Sequence, residues 1–304
     1  MRAIVNPRAG VAARRALAAV REGRPSWPEP EVIVTGGPGH ARELSAEAAG
    51  RGVDLVLSVG GDGTANEVAW GLLGSETALG LVPVGSGNGL ARTLGVPLRP
   101  RAALAALETG SRRRMDVGLV NGRPFLNVAG AGFDAAVGAD FHAHGNRGGR
   151  RGILTYVRLS LWRSLSYVAE RYVLEAGGER YEGRALVVAF VNGRQYGAGA
   201  VLAPGARLDD GLLEVVVLED APLYEIALAA PRLFTGGIQR YRRYRQLTAA
   251  SAVLTGAAPV LHHRDGEPEP AVETRLEVSV RPRALTVVVP RATADDRDGP
   301  FGEA

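Results

Sequence analysis

The apolar run Leu55-Val56-Leu57-Ser58-Val59 enters Gly60-Gly61-Asp62-Gly63-Thr64 without a linker, and a helical pattern follows at once, from Thr64 to Leu73. A strand of this buried type, bounded by glycine turns, has to be covered on both faces. The arrangement then repeats. Leu79–Val84 runs into Gly85-Ser86-Gly87-Asn88, and a second helix opens over Asn88–Leu94. Upstream, the strand Ala3–Asn6, the alanine-rich helix Val11–Arg21, the strand Glu31–Thr35 and the helix His40–Ala49 alternate in the same way. Alternation of this kind predicts an α/β domain, a parallel sheet with helices on both faces. Ligands of such sheets sit at the carboxyl ends of the strands. Two neighbouring strands ending in glycine turns would form one cleft.

Around Met115 the texture changes. Short strands and glycine turns take over: Arg114–Leu119, an Asn-Gly hairpin turn at Val120-Asn121-Gly122-Arg123, then Pro124–Val128, Ala185–Val191 and Leu212–Leu218. A helical interlude over Ile153–Glu170 carries Leu154, Val157, Leu161 and Leu165 at helical spacing, and Trp162 and Leu165 read as core. The domains expected are 1–116, completed by a late strand within 284–291, and a mostly β domain over 117–283. The tail 292–304, rich in Asp, Arg and Gly, reads as disordered. The 304 residues suit two domains, and no repeat is visible.

Glycines let the backbone approach a phosphate closely, and the helix that follows adds N–H groups and a partial positive charge. Asp62 is out of place in a simple anion site, because it repels phosphate. It makes sense if it holds Mg²⁺, takes a proton from a hydroxyl, or does both. A plain β-turn with an N-capping residue is the alternative, and the flanking Gly60, Asn66 and Glu67 weigh against it. Ser86 can cap its helix or bond a phosphate. The chain has no lysine, so a Walker-type phosphate loop, a protein-kinase lysine and a pyridoxal Schiff base are excluded. It has no cysteine, which removes disulfides and cysteine-built zinc sites. No apolar run approaches the ~20 residues of a membrane span, and the N-terminus is no signal peptide, so the expected location is cytoplasmic. A net charge of +4 suits anionic partners. Arg147, Arg150 and Arg151, and the Arg240–Arg245 run with Tyr241 and Tyr244, suit an anionic surface as well as a plain solvated face. His142 and His144 have a spacing seen in some metal sites but more often in plain polar loops, and His262 and His263, which precede Asp265, suit either a cleft lining or a structural role.

Gly-Gly-Asp-Gly-Thr at 60–64 followed by Pro83-Val84-Gly85-Ser86-Gly87-Asn88-Gly89-Leu90-Ala91-Arg92 resembles the diacylglycerol kinase catalytic family, which includes sphingosine and ceramide kinases and bacterial soluble lipid kinases. Asn6-Pro7-Arg8-Ala9-Gly10 resembles its first nucleotide loop, and Thr35 its nucleotide-contacting threonine. Phe125–Ala135, Asn192–Gly199, Ala203–Leu212 and His263-Arg264-Asp265-Gly266-Glu267 follow its later pattern. The resemblance covers about residues 1 to 290.

It implies a Rossmann-like nucleotide-binding α/β domain and a C-terminal β-sandwich, with the active site in the cleft between them. It implies ATP with Mg²⁺ and transfer of the γ-phosphate to a lipid alcohol of diacylglycerol or sphingoid type. Nucleotide contacts would fall on Asn6, Pro7, Arg8, Ala9, Gly10, Thr35, Gly61, Asp62, Gly63, Thr64, Ala65, Asn66, Glu67 and Ser86. The proton acceptor would be Glu267, with Asp265 second and Asp62 as metal or relay partner. Metal would fall on Asp62 and Asp116, and a structural divalent ion on Arg207, Asp210 and Leu212. Given a lipid substrate, the expected partner is an anionic membrane at the inner face of the cell membrane rather than nucleic acid, with a homodimer left open. Gly89 departs from the aspartate that many members carry there. NAD kinase, which shares the Gly-Gly-Asp-Gly turn, and a non-catalytic nucleotide- or lipid-binding module are the alternatives.

Overall fold

A computed structural model describes residues 1–22, 26–146, 153–164, 166–196 and 199–302. The chain divides into two compact units. The first comprises Met1–Val117, Arg207–Asp210 and Pro282–Ala304, and the second Gly118–Ala206 and Gly211–Arg281.

In the first unit, β1 (Arg2–Val5) lies between β2 (Glu31–Val34) and β3 (Leu55–Gly60), and β3 lies beside β4 (Ala78–Pro83). Val287 of the late strand Arg275–Val289 pairs with Leu79 of β4. All these pairings are parallel, and every residue of β3 and β4 is buried, in keeping with their largely apolar sequences. The sheet order is β2-β1-β3-β4 and then the late strand. The chain steps outward from β1 to β2 and crosses back to β3, so the order reverses between β1 and β3, where doubly wound sheets bind their ligands. The 2-1-3-4 order is that of flavodoxin-like sheets and differs from the 3-2-1 order of dinucleotide-binding ones. Helix α1 (Gly10–Arg21) follows β1 and buries Ala13, Ala16, Ala19 and Val20. Helices α2 (His40–Gly50) and α3 (Asp62–Leu72) follow β2 and β3, and the short α4 (Gly89–Thr93) follows β4.

The tail is a correction to the expectation of disorder. Arg291–Ala294 is helical and Phe301 is fully buried. Leu208 donates its N–H to Pro300 O at 2.7 Å, and Gly302 donates to Asp209 Oδ2 at 2.8 Å. One buried aromatic anchors a segment whose polar composition hides it.

The second unit is antiparallel around a long strand, Glu179–Val191. Its first half pairs with Glu170–Ala176, and its second half with Val128–Gly132 and Leu213–Glu219. Val188 and Phe190 point into one buried cluster with Tyr172, Phe125 and Leu254, while Val187, Ala189 and Val191 point into another with Leu202 and Val216. That alternation is the two-residue period of a strand covered on both faces. The Asn121-Gly122 turn forms as the sequence predicts, with φ of 48° and 76°. The helical interlude ends at Ser164 rather than Glu170. Trp162, expected in the core, is 64% exposed, because helical spacing fixes a shared face without saying what covers it. Leu165, Arg147, Arg150 and Arg151 lie outside the described residues. No helix among the described residues is long and apolar enough to cross a membrane.

Candidate active site

Two constellations carry chemistry, one in each unit. In the first, the glycine turns after β3 and β4 pack backbone against backbone. A Cβ placed on Gly85 would lie 2.6 Å from the Gly61 Cα, so no side chain fits there. Gly61 caps α3, and the first helical residues, Asp62, Gly63 and Thr64, present the N–H ends that an α-helix cannot satisfy internally. Ala65 is already inside the helix, donating to Gly61 O at 3.0 Å. The Asp62 carboxylate reaches across to the second turn, where Leu90 N–H lies 3.4 Å from Oδ1. Gly60, Gly61, Asp62, Asn88 and Leu90 line a small, shallow depression of about 10 Å³.

The loop after β1 joins the same place. Asn6 accepts from Arg8 N–H at 3.0 Å, capping the single 3₁₀ turn Pro7–Ala9, and donates to Thr64 Oγ1 at 2.9 Å. Its own N–H is bound by Val59 O at 3.0 Å. Asn6 thereby fastens the Pro7–Gly10 loop to the first turn of α3. Thr35 is buried at the end of β2, its N–H on Val5 O at 2.9 Å. The structure therefore gathers Asn6, Gly61–Thr64 and the Gly85 turn at the reversal of strand order. Ser86 is exposed at the tip of that turn.

Glu67 faces elsewhere. Its carboxylate accepts from Gly39 N–H at 2.9 Å and Ala41 N–H at 3.2 Å, so it caps the N-terminus of α2. Asn88, which the sequence reading gave no role, closes the second turn. It sits at φ 53° and both accepts from Gly85 N–H and donates to Gly85 O. Its signal was the tolerance of asparagine for positive φ. Asp116 is completely buried and accepts from Arg283 N–H at 2.7 Å, tying two backbone segments together. Arg207 pairs with Asp209 at 3.5 Å. Among the described residues no three His, Asp or Glu side chains group as a metal cage.

In the second unit, Asp265-Gly266 is a two-residue hairpin between His262–Arg264 and Glu267–Glu269, with φ of 49° and 83°. Those angles are the type I′ turn for which Asp-Gly is suited. The Asp265 carboxylate accepts three backbone N–H groups, from Leu126 at 2.7 Å, Asn127 at 2.8 Å and Val128 at 3.0 Å. Its lone pairs hold the hairpin against the neighbouring strand. Glu267, the next side chain, is about half exposed, and its Oε2 lies 3.3 Å from His142 Nδ1.

Behind the hairpin is a buried network. Gly266 donates its N–H to His263 Nδ1 at 3.2 Å, which leaves the ring proton on Nε2, and Nε2 donates to Asp134 Oδ2 at 3.0 Å. Tyr196 O–H donates to the same oxygen. Gly130 makes the room, since a Cβ there would lie 2.2 Å from Asp134 Oδ2. Asp134 and Tyr196 went unassigned in the sequence, because 62 residues separate them and only folding brings them together.

Both regions of the chain match known families. Residues 1–120 match the diacylglycerol kinase catalytic domain, and residues 127–289 the YegS C-terminal NAD kinase beta sandwich-like domain. A Pseudomonas aeruginosa (strain UCBPP-PA14) protein named "Probable lipid kinase YegS-like" is 36% identical, covering 94% of this chain and 92% of that one. A Pseudomonas putida protein of the same name is 34% identical over 86% and 85%. A solved structure described as "Crystal structure of a putative diacylglycerol kinase from Bacillus anthracis str. Sterne" superposes with a TM-score of 0.75 at 25% identity, covering 96% of this chain and 97% of that one. An NAD kinase from Archaeoglobus fulgidus, at 14% identity and a TM-score of 0.53, shares the fold alone. With both of its regions matched in order along nearly the whole length, the chain belongs to the diacylglycerol kinase catalytic family, in its YegS-like branch.

Proposed function

We propose that this ATP-dependent lipid kinase binds ATP on the paired glycine turns and uses Glu267 as the acceptor of the lipid hydroxyl proton. The carrying observation is the backbone contact of Gly61 with Gly85 at the N-terminus of α3, with Asp62 turned across both. Asn6, Pro7, Arg8, Ala9, Gly10, Thr35, Gly61–Ala65, Asn66 and Ser86 are the nucleotide-side residues in this reading. Glu67 acts indirectly, by holding the loop after Thr35.

Phosphoryl transfer is mostly positioning and charge neutralisation. The hydroxyl oxygen bonds the γ-phosphorus, the bond to the β-phosphate oxygen breaks, and the hydroxyl proton passes to Glu267. Asp265 fixes the hairpin that carries Glu267, and the His263–Asp134–Tyr196 network holds Gly266 from behind. First-turn N–H groups of α3 face the phosphates in the place a lysine fills in other ATP sites. Mg²⁺ in nucleotide sites takes one or two carboxylates, phosphate oxygens and water, so Asp62 alone fits it, and the ion would supply neutralisation of phosphate charge. At Arg207, Asp210 and Leu212 the donor set would be the Asp210 carboxylate with backbone carbonyls, because a guanidinium is no ligand. A lipid acceptor places the enzyme peripherally at the inner face of the cell membrane.

The test is transfer from labelled ATP with Mg²⁺ onto a mixed lipid extract and, in parallel, onto NAD. Label in an organic-soluble product, identified by mass as a phosphorylated lipid, is expected. Label on NAD, or none on any lipid, overturns the reading.

A further inference from the structure

We propose that the segment Pro222–Thr235 is a docking face that lies in the interface of an anionic lipid bilayer. The inference rests on the lipid-kinase reading for its choice of partner and on the segment itself for its geometry.

Leu223–Ala229 is a helix, and Arg232–Thr235 is a further helical turn. Ala230 (φ −52°, ψ −41°) and Pro231 (φ −59°, ψ −26°) keep the backbone right-handed between them. Residues 224, 227, 228, 231 and 234 therefore share one side, following the spacing of helical neighbours. They are Tyr224, Ala227, Leu228, Pro231 and Phe234, all apolar or aromatic and all exposed. Tyr224 is 66%, Leu228 76% and Phe234 61% accessible.

The inward side is the reverse of a water-facing helix. Ala229 is buried, and Leu233 packs on the core cluster of Val187, Leu202 and Val216. Glu225, the acid of the segment, also turns inward, its side chain only 13% exposed, and is bound by Arg242 at 2.6 Å and Arg243 at 3.1 Å. Those two arginines, Arg243 first, hold its carboxyl below the usual carboxylate range. A surface helix ordinarily puts its charges outward. Here the charge is drawn in and neutralised while the large apolar side chains face out, so the outer face fits an apolar medium.

Charge selects the occupant. Pro222–Arg245 holds five arginines (232, 240, 242, 243 and 245) against one glutamate, an excess of +4 that equals the formal charge of the whole chain. Arg245 is paired with Glu219 and Arg243 with Glu225, whereas Arg232 and Arg240 have no ion-pair partner among the described residues. A second copy docked on this face by two-fold symmetry would set the same arginines against each other. An anionic leaflet meets both properties, since apolar side chains enter the headgroup boundary and arginines stay at the phosphates.

The experiment is co-sedimentation with phosphatidylcholine vesicles, with and without about 30% phosphatidylglycerol, at low and high salt. The wild-type chain is expected to bind the anionic vesicles and to be released by salt. Tyr224→Ser/Leu228→Ser/Phe234→Ser, three exposed positions, is expected to bind about tenfold or more weakly, with an unchanged circular dichroism spectrum. Arg232→Gln/Arg240→Gln is expected to lose the preference for phosphatidylglycerol. Wild-type partition of the triple variant overturns the proposal. So does conversion of a wild-type dimer to monomer by the triple variant with vesicle binding intact, which would make a second copy the occupant. Transfer onto detergent-dispersed lipid, measured beside this, should survive in the triple variant. Its absence from the wild-type protein would sink the kinase reading and leave the vesicle result to be judged by itself.

Discussion

Asp265 and Glu267 stand two residues apart and meet opposite demands. Three backbone N–H groups converge on the Asp265 carboxylate, while Glu267 is half open to solvent beside His142. Asp265→Asn keeps a residue that tolerates positive φ, so it isolates the carboxylate. An amide has one accepting oxygen in place of two, and the change should cost about 2 kcal/mol, read as a lower urea midpoint. Glu267→Gln should leave that midpoint unchanged and lower kcat by about 10²- to 10⁴-fold with little effect on KM for ATP. Equal loss of stability in both variants would refute the division of roles. The sequence marks Asp-Gly-Glu as one motif. It cannot divide the motif, because the N–H groups of Leu126–Val128 lie about 140 residues upstream and reach Asp265 only by strand pairing.

At the scale of elements, the site depends on two strand–turn–helix units touching through glycine. Each unit was legible alone, from an apolar strand, a glycine turn and a polar cap. Their contact distance was not, since it follows from the adjacency of β3 and β4 in register. Gly85→Ala puts a methyl 2.6 Å from the Gly61 Cα, where only backbone can give way. It should cost about 1–3 kcal/mol and weaken ATP binding in calorimetric titration. Gly87→Ala is the milder control, because its methyl would meet the movable Asp62 Oδ2 at 3.0 Å. If both variants bound ATP like wild type, the paired turns would not be the phosphate cradle. The outward apolar stripe of 222–235 belongs to this scale too. Its spacing is helical in the sequence, yet which face is covered depends on Arg242 and Arg243, on a different segment, drawing Glu225 inward.

For the whole molecule, stability should depend on pH through His262. Burial lowers the basicity of its imidazole below the ordinary value, with smaller opposing effects from Val260 O and Glu269. The folded chain then binds that proton less readily than the unfolded chain. Its contribution is complete above the unfolded value of about 6.5 and is lost as the pH falls through that value toward the lower folded one. Urea midpoints should fall between about pH 7.5 and 5.5, and fall less in His262→Gln. An identical fall in the variant would assign the effect to other groups. By itself the sequence determined the two-part chain, the α/β nature of its first part and the strand–turn–helix form around Gly60–Thr64, because apolar runs and glycine turns act over a few residues. Only the tertiary structure decided that Asp116, fully buried, and Asp265, partly buried, each accept backbone N–H groups, that the tail is anchored by Phe301, and that Asp134, Tyr196 and His263 form one network. A carboxylate's role is set by the donors around it, and those donors come from segments that only folding brings within hydrogen-bond reach.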